Sequence, residues 1–262
     1  MKLIQKFQIL TILLATTASL LATEITHVIV DPCILFPVNE SNAAKFVNKW
    51  AATKYTMYKG HFPSKKDFFT ALEFVPSKYK NRTYTDNLKM PAIFTDWLCG
   101  NGSNTHIKNT IIKAMQNSSK LADCEVQVYT DVLNLMMDPS TFLQTVDYNS
   151  DLGKTIQALK RNGYTIIFAA NWDNENYKAL KRQYGSVFST AKETFISGEM
   201  KVVKPEQAFY DKMLRESNIS ADQCISIEPE TQFVSGAQKV GIKAIKASSN
   251  LQAQLKNAGI RI

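Results

Sequence analysis

The sequence predicts an α/β protein: a doubly wound parallel sheet with a helical segment inserted after its first strand. Three observations predict it. Short apolar runs at Ile25–Val30, Tyr164–Ala170, Cys224–Ile227 and Ile242–Ile245 are continuous rather than alternating, as in strands buried on both faces. From Leu152 onward these runs alternate with amphipathic stretches, the rhythm of helices crossing over a parallel sheet. From Ser41 to Val146 the periodicity is helical, and no strong strand run interrupts it.

The chain opens on a targeting segment. Lys2 and Lys6 are basic, Phe7 to Leu21 is mostly apolar, and Ala18 and Ala22 both offer cleavage points. An uncleaved anchor is the alternative, but Thr11, Thr16, Thr17 and Ser19 break up a short apolar core. Residues 1–22 are therefore read as a signal peptide, and the protein as secreted or periplasmic. No later stretch is long and apolar enough to span a bilayer, so no membrane contact is expected of the mature chain.

The first strand ends abruptly in Asp31-Pro32. Pro32 has no N–H for a ladder bond, so regular pairing stops there. Asp31 then projects from the carboxyl end of a central strand, where open α/β sheets place their ligands. The plainer alternative is an aspartate that only opens a turn.

The insertion follows. Ser41 is expected to cap a helix running through Ala43, Ala44, Phe46, Val47 and Trp50. Pro63-Ser64-Lys65-Lys66-Asp67 opens another, with Phe68, Phe69, Leu72 and Phe74 on its apolar face. Met90-Pro91 starts a third that stops near Cys99-Gly100, and Asn104–Met115 and Thr130–Met137 are further helices. Beyond them, Leu152–Asn162 is amphipathic and closed by Gly163. Helices are also expected over Tyr177–Tyr184, from Lys204-Pro205 through Leu214, and over Gln232–Val240 before Gly241.

The formal charge is +8, or +6 once Lys2 and Lys6 leave with the leader. Lys and Arg are scattered without a cluster interleaved with aromatics, so no nucleic-acid face is expected, only a mild preference for anions. The four cysteines lack C-x-x-C spacing, which argues against a zinc site. Export permits disulfides, and Cys99 with Cys124 is the candidate pair because both fall in the insertion. Cys33 and Cys224 lie at opposite ends of neighbouring strands and should not pair. Asn39, Asn81, Asn101, Asn117 and Asn218 stand in glycosylation sequons, which matter only where the source glycosylates secreted proteins.

Three strand ends converge in this scheme, at Asp31, Ala170-Asn171 and Glu228, and Lys204 can join them. A carboxylate nucleophile acting on an anion needs a cation to offset charge, donors to orient the substrate, and often Mg²⁺ held by a second acid. Those residue types occur in that order. The stretches His27–Phe36, Ile166–Asp173, Ser197-Gly198-Glu199 through Lys204-Pro205 to Tyr210, and Ile225–Glu230 through Gly236 to Ile242 resemble the four motifs of the haloacid dehalogenase-like (HAD) hydrolases. Met90-Pro91-Ala92-Ile93 and Trp97-Leu98-Cys99-Gly100 resemble cap helices of that superfamily.

The resemblance implies a Rossmann-like core of residues 23–40 and 147–262 and a helical cap of residues 41–146. It further implies a hydrolase acting on a small phosphorylated or otherwise anionic substrate. Asp31 would be the nucleophile, Lys204 its charge partner, and Asn171 and Cys33 would contact substrate. Mg²⁺ would be held by Asp31, Glu228 and the Cys33 backbone carbonyl.

The departures from the pattern are specific. Cys33 stands where family phosphatases carry a second aspartate, and a thiol with an ordinary pKa near 8.5 replaces that acid poorly. Ala170 stands where a hydroxyl grips the phosphoryl group, and Pro229 follows Glu228 where paired acids are usual, although Glu230 could substitute. Weak hydrolase activity is thus one expectation, and a catalytically inactive binding or interaction protein is another. Metal-independent displacement of halide by Asp31 is a third. Trp172 is expected to pack at the pocket rim.

Overall fold

The computed structural model describes residues 24–77, 84–85 and 88–262, so the leader and the Asn81 sequon lie outside the described residues. Strand β1 (His27–Val30) runs into a 3-10 turn at Pro32–Leu35, as the missing N–H of Pro32 requires. Helix α1 (Glu40–Ala43) is capped by Asn39, not by Ser41. The single helix expected through Trp50 is broken: after a 3-10 turn, Asn48 accepts from the Trp50 and Ala51 N–H groups and starts α2 (Lys49–Lys59) afresh. A capping box at Ser64 and Asp67 starts α3 (Lys65–Ala71) where a helix is expected, but it ends before Leu72, and Phe74 is 41% exposed instead of on its apolar face.

A two-residue hairpin, β2 (Tyr84–Thr85) with β3 (Leu88–Lys89), precedes α4 (Ala92–Leu98). Its strands are too short to register as periodicity. The insertion then continues through α5 (Asn104–Gln116), α6 (Asp123–Met137) and α7 (Pro139–Thr145).

After α8 (Ser150–Arg161) come β4 (Thr165–Ala170), α9 (Asn174–Gln183), α10 (Gly185–Phe188), β5 (Glu193–Ile196) and α11 (Ser197–Met200). They are followed by α12 (Gln207–Ser217), β6 (Cys224–Glu228), α13 (Thr231–Lys239), β7 (Lys243–Lys246) and α14 (Leu251–Asn257).

The sheet is parallel throughout, in the order β5-β4-β1-β6-β7. The chain winds outward in both directions from β1, so the carboxyl ends of β4, β1 and β6 flank a topological switch point. Side chains alternate across it. Val28 and Val30 pack with Ile166, Phe168, Leu180 and Leu255 on one face, while Ile29, Ile167 and Ala169 meet Phe209, Met213 and Ala237 on the other. Helices thus cover both faces, and the α/β reading holds.

The insertion has a core of its own, in which Tyr55, Phe68, Phe94, Ile111, Tyr129 and Leu133 are buried together. Cys99 and Cys124 within it are not joined to one another, so the candidate disulfide is not formed. Cys33 and Cys224 are free, as their places at opposite ends of paired strands dictate. Among the described residues no helix is long and apolar enough to cross a membrane.

Candidate active site

The carboxyl ends of three strands meet on one side chain. Lys204 enters from the loop before α12, across a cis Lys204–Pro205 peptide bond, and is fully buried. Its Nζ donates to Asp31 Oδ2 at 2.6 Å, to Glu228 Oε2 at 2.5 Å and to the Ala169 carbonyl at 3.0 Å. The ammonium also lies 4.8 Å from the centroid of the Phe233 ring. Burial works against the charge on Lys204, but the Asp31 and Glu228 carboxylates outweigh it and hold the lysine protonated.

Each carboxylate has a second fixed contact. Asp31 Oδ1 accepts from the Cys33 N–H at 2.8 Å, which orients the side chain over the turn that Pro32 begins. Glu228 Oε1 accepts from the Ser226 hydroxyl at 2.7 Å. Ser226 lies two residues earlier on the same strand, hence on the same face, a period-two signal the sequence reading passed over. Burial pushes the Glu228 carboxyl up, with Lys204 opposing it.

Asn171 stands beside this cluster in a different role from the one expected. Its Oδ1 accepts from the Lys204 N–H at 2.7 Å and its Nδ2 donates to the Lys204 carbonyl at 2.9 Å. The amide thus clamps the lysine backbone instead of offering an uncommitted face to a ligand. Cys33 follows Asp31 as expected. The residue keeps partial exposure, yet desolvation of its thiol, then the Asp31 charge, hold the pKa well above the ordinary thiol range.

The carboxylates suggested for Mg²⁺ are engaged within the protein in this arrangement. Asp31 and Glu228 do converge on one cation, but that cation is Lys204, and all four carboxylate oxygens already accept a hydrogen bond. Among the described residues no group of three His, Cys, Asp or Glu is arranged to hold a metal. Glu230, the possible substitute, accepts instead from the Thr85 hydroxyl at 2.8 Å.

Asp31 is 1% exposed, and none of the cavities described below touches it. One of about 600 Å³ is bordered by Ile34 and Pro229, the residues directly after Cys33 and Glu228. Another of about 400 Å³ lies between the insertion and the core, lined by Trp97, Asn104, Asp173 and Glu175. Trp172 is buried against Phe36 and Phe188, a packing residue as expected. Phe233 lies against the buried lysine, and the Tyr210 hydroxyl donates to the Phe233 carbonyl at 2.9 Å. Tyr210 reads in the sequence as the end of the third motif-like stretch, and Phe233 as one position of the Gln232–Val240 helix.

No protein-family model matches the sequence, and no curated protein matches it. Solved structures do match by shape. A HAD-family enzyme from Bacteroides thetaiotaomicron superposes with a TM-score of 0.57 at 14% identity, covering 87% of this chain and 96% of that one. A protein from Porphyromonas gingivalis described as a predicted HAD-like family hydrolase gives 0.57 at 13% identity, covering 92% of this chain and all of that one. The Bacteroides enzyme in complex with magnesium and inorganic phosphate gives 0.56 at 14% identity, covering 86% and 96%. The likeness covers most of the chain, and this chain has the haloacid dehalogenase-like fold.

Proposed function

We propose that the protein is a divergent, exported HAD-like hydrolase of small anionic substrates, with Asp31 as nucleophile and residues 41–146 as its cap. One observation carries this reading: Asp31, Lys204 and Glu228, from three distant segments, meet in a buried cluster at the switch point of the sheet. Such residues have no packing reason to meet, and an unpaired ammonium would not be tolerated there. The Bacteroides enzyme's complex with magnesium and inorganic phosphate supports an anionic substrate for the same fold.

In this mechanism the Asp31 carboxylate attacks the phosphorus and the ester oxygen leaves. Water then cleaves the acyl phosphate at Asp31. Lys204 offsets the charge that accumulates between carboxylate and phosphoryl oxygens. Glu228, anchored by Ser226, and Asn171, bonded to the lysine backbone, fix where that ammonium sits. The missing step is proton donation. The Cys33 thiol is held protonated but is a weak acid, so it gives an alkoxide little help. Ala170 supplies no hydrogen bond to the phosphoryl group. Turnover is therefore weak, and confined to esters whose leaving group departs without a proton.

A phosphatase panel on the exported protein tests this, with and without Mg²⁺. Slow hydrolysis of aryl phosphates, little of alkyl phosphates, and loss of both in Asp31→Asn is the expected result. Cys33→Asp with Ala170→Ser should raise alkyl phosphate turnover by about 10²-fold or more, the usual worth of one general acid. No turnover by either protein on any ester overturns the reading. It would favour a catalytically silent binding protein, for which the full hydrogen bonding of both carboxylates already speaks. N-terminal sequencing of exported material should begin near residue 23, and a start at Met1 would sink the leader.

A further inference from the structure

Helix α2 of the insertion turns a large apolar face outward. Trp50, Lys54, Met57 and Tyr58 recur at i, i+4, i+7 and i+8, which places them on one side of the helix, while Ala51 and Tyr55 are buried on the other. Trp50 is 67% exposed, Met57 79%, and Phe62, just beyond the Gly60 that ends the helix, 78%. Single exposed apolar residues are ordinary, but several large ones along one helix face mark an interaction surface.

The charged residues of α2 itself are all basic. Lys45, Lys49 and Lys54 are exposed on and beside it, and α2 contains no acidic residue. The Lys54 ammonium lies 5.2 Å from the centroid of the Trp50 ring, and that of Lys59 lies 5.3 Å from Tyr58. Lysine, tryptophan and tyrosine each join an apolar body to a polar end, the form that suits the headgroup layer of a bilayer. A second copy of the chain would set lysine against lysine across the contact. An anionic lipid surface complements both the charge and the apolar side chains.

We propose that α2 and the turn at Phe62 dock on an anionic membrane surface. Trp50, Met57 and Phe62 enter the headgroup layer, and Lys49 and Lys54 face the lipid phosphates. This revises the expectation that the mature chain avoids membranes, and it stands apart from the chemistry at Asp31.

Tryptophan fluorescence reads it directly. Of the three tryptophans only Trp50 is exposed, Trp97 and Trp172 being 7% exposed each. Vesicles of phosphatidylserine and phosphatidylcholine should shift the emission of the purified exported protein to the blue, and brominated lipids should quench it. Phosphatidylcholine vesicles alone should do neither. Lys49→Ala should lower partitioning about fivefold, the worth of one lysine near such a surface, and added salt should weaken binding. Trp50→Phe should remove the fluorescence response while retaining binding, and Trp50→Ala with Phe62→Ala should abolish binding without lowering the Tm. Absence of a shift on phosphatidylserine overturns the proposal, as does binding that the double substitution leaves intact. A dimer in light scattering that the double substitution dissolves would overturn it too, by placing a second copy on this face.

Discussion

Burying an ammonium costs several kcal/mol unless carboxylates accompany it, and Lys204 has two. Asp173 is the opposite case, a buried acid with no ion pair among the described residues. Its Oδ1 caps α9 by accepting from the Glu175 and Asn176 N–H groups, while Oδ2 has no hydrogen-bond partner among the described residues. Burial pushes its carboxyl up to about 6, with the backbone N–H groups opposing the shift. An acid whose folded pKa is raised adds stability below its unfolded pKa, near 3.9, and that stability is lost as pH rises through about 6. A shift of this size is worth about 3 kcal/mol. Asp173→Asn keeps the capping oxygen and removes the titration. Relative to the natural protein, the variant should gain about that much stability between pH 4 and pH 7 in denaturant melts, and a constant difference across the window would count against this account. The residues of the Lys204 cluster were readable because charged groups at strand ends beside proline stand out from apolar runs. The bonding of Asn171 was not, because it depends on which backbone lies opposite, and sequence order does not contain that.

At the scale of elements, the strands that sequence reading found are those buried on both faces. β5 escaped because Glu193-Thr194-Phe195-Ile196 offers two apolar residues at a sheet edge, too few to establish a period. α14 was missed as a short terminal helix with only Leu251 and Leu255 buried in its apolar stripe. One close approach between elements decides the position of the lysine. Gly236 lies in α13 against the loop that carries Lys204, and a Cβ there would come within 2.8 Å of Pro205 Cβ and 2.9 Å of the Pro205 carbonyl oxygen. Backbone and a proline ring cannot swing aside. Gly236→Ala should therefore destabilise the fold by about 1–3 kcal/mol despite the better helix propensity of alanine. Gly185→Ala is the contrast, since a Cβ there meets nothing within 4 Å, and its Tm should hold or rise. Equal effects at the two positions would refute the steric argument.

The whole molecule has separate apolar cores, one in the insertion and others on the two faces of the sheet; at the end of the insertion Phe142, Leu143 and Val146 pack on a sheet-face core, and elsewhere the two units meet across a polar seam. There the Ser197 hydroxyl donates to the Leu98 carbonyl at 2.7 Å, Lys201 to the Gly100 carbonyl at 2.8 Å, and the Asn104 N–H to Glu175 at 2.8 Å. Polar contacts of this kind exchange with water at modest cost, whereas each core holds itself together by buried area. Helices α2 to α6 should therefore open or unfold without the sheet, and with Asp31 buried as it is, a substrate of the proposed kind would reach it by some such opening. Phe94 separates the two units cleanly. It is fully buried in the insertion, with ring centroids 5.6 Å from Phe68, 5.8 Å from Phe69 and 6.1 Å from Trp97. Phe94→Ala should cost about 3–5 kcal/mol, felt within the insertion. Native-state hydrogen exchange should then show amides of α5 and α6 losing protection while β1, β4 and β6 keep theirs. Uniform loss across helices and strands would make the chain one cooperative unit, in which access to Asp31 must come by a smaller motion than release of the insertion.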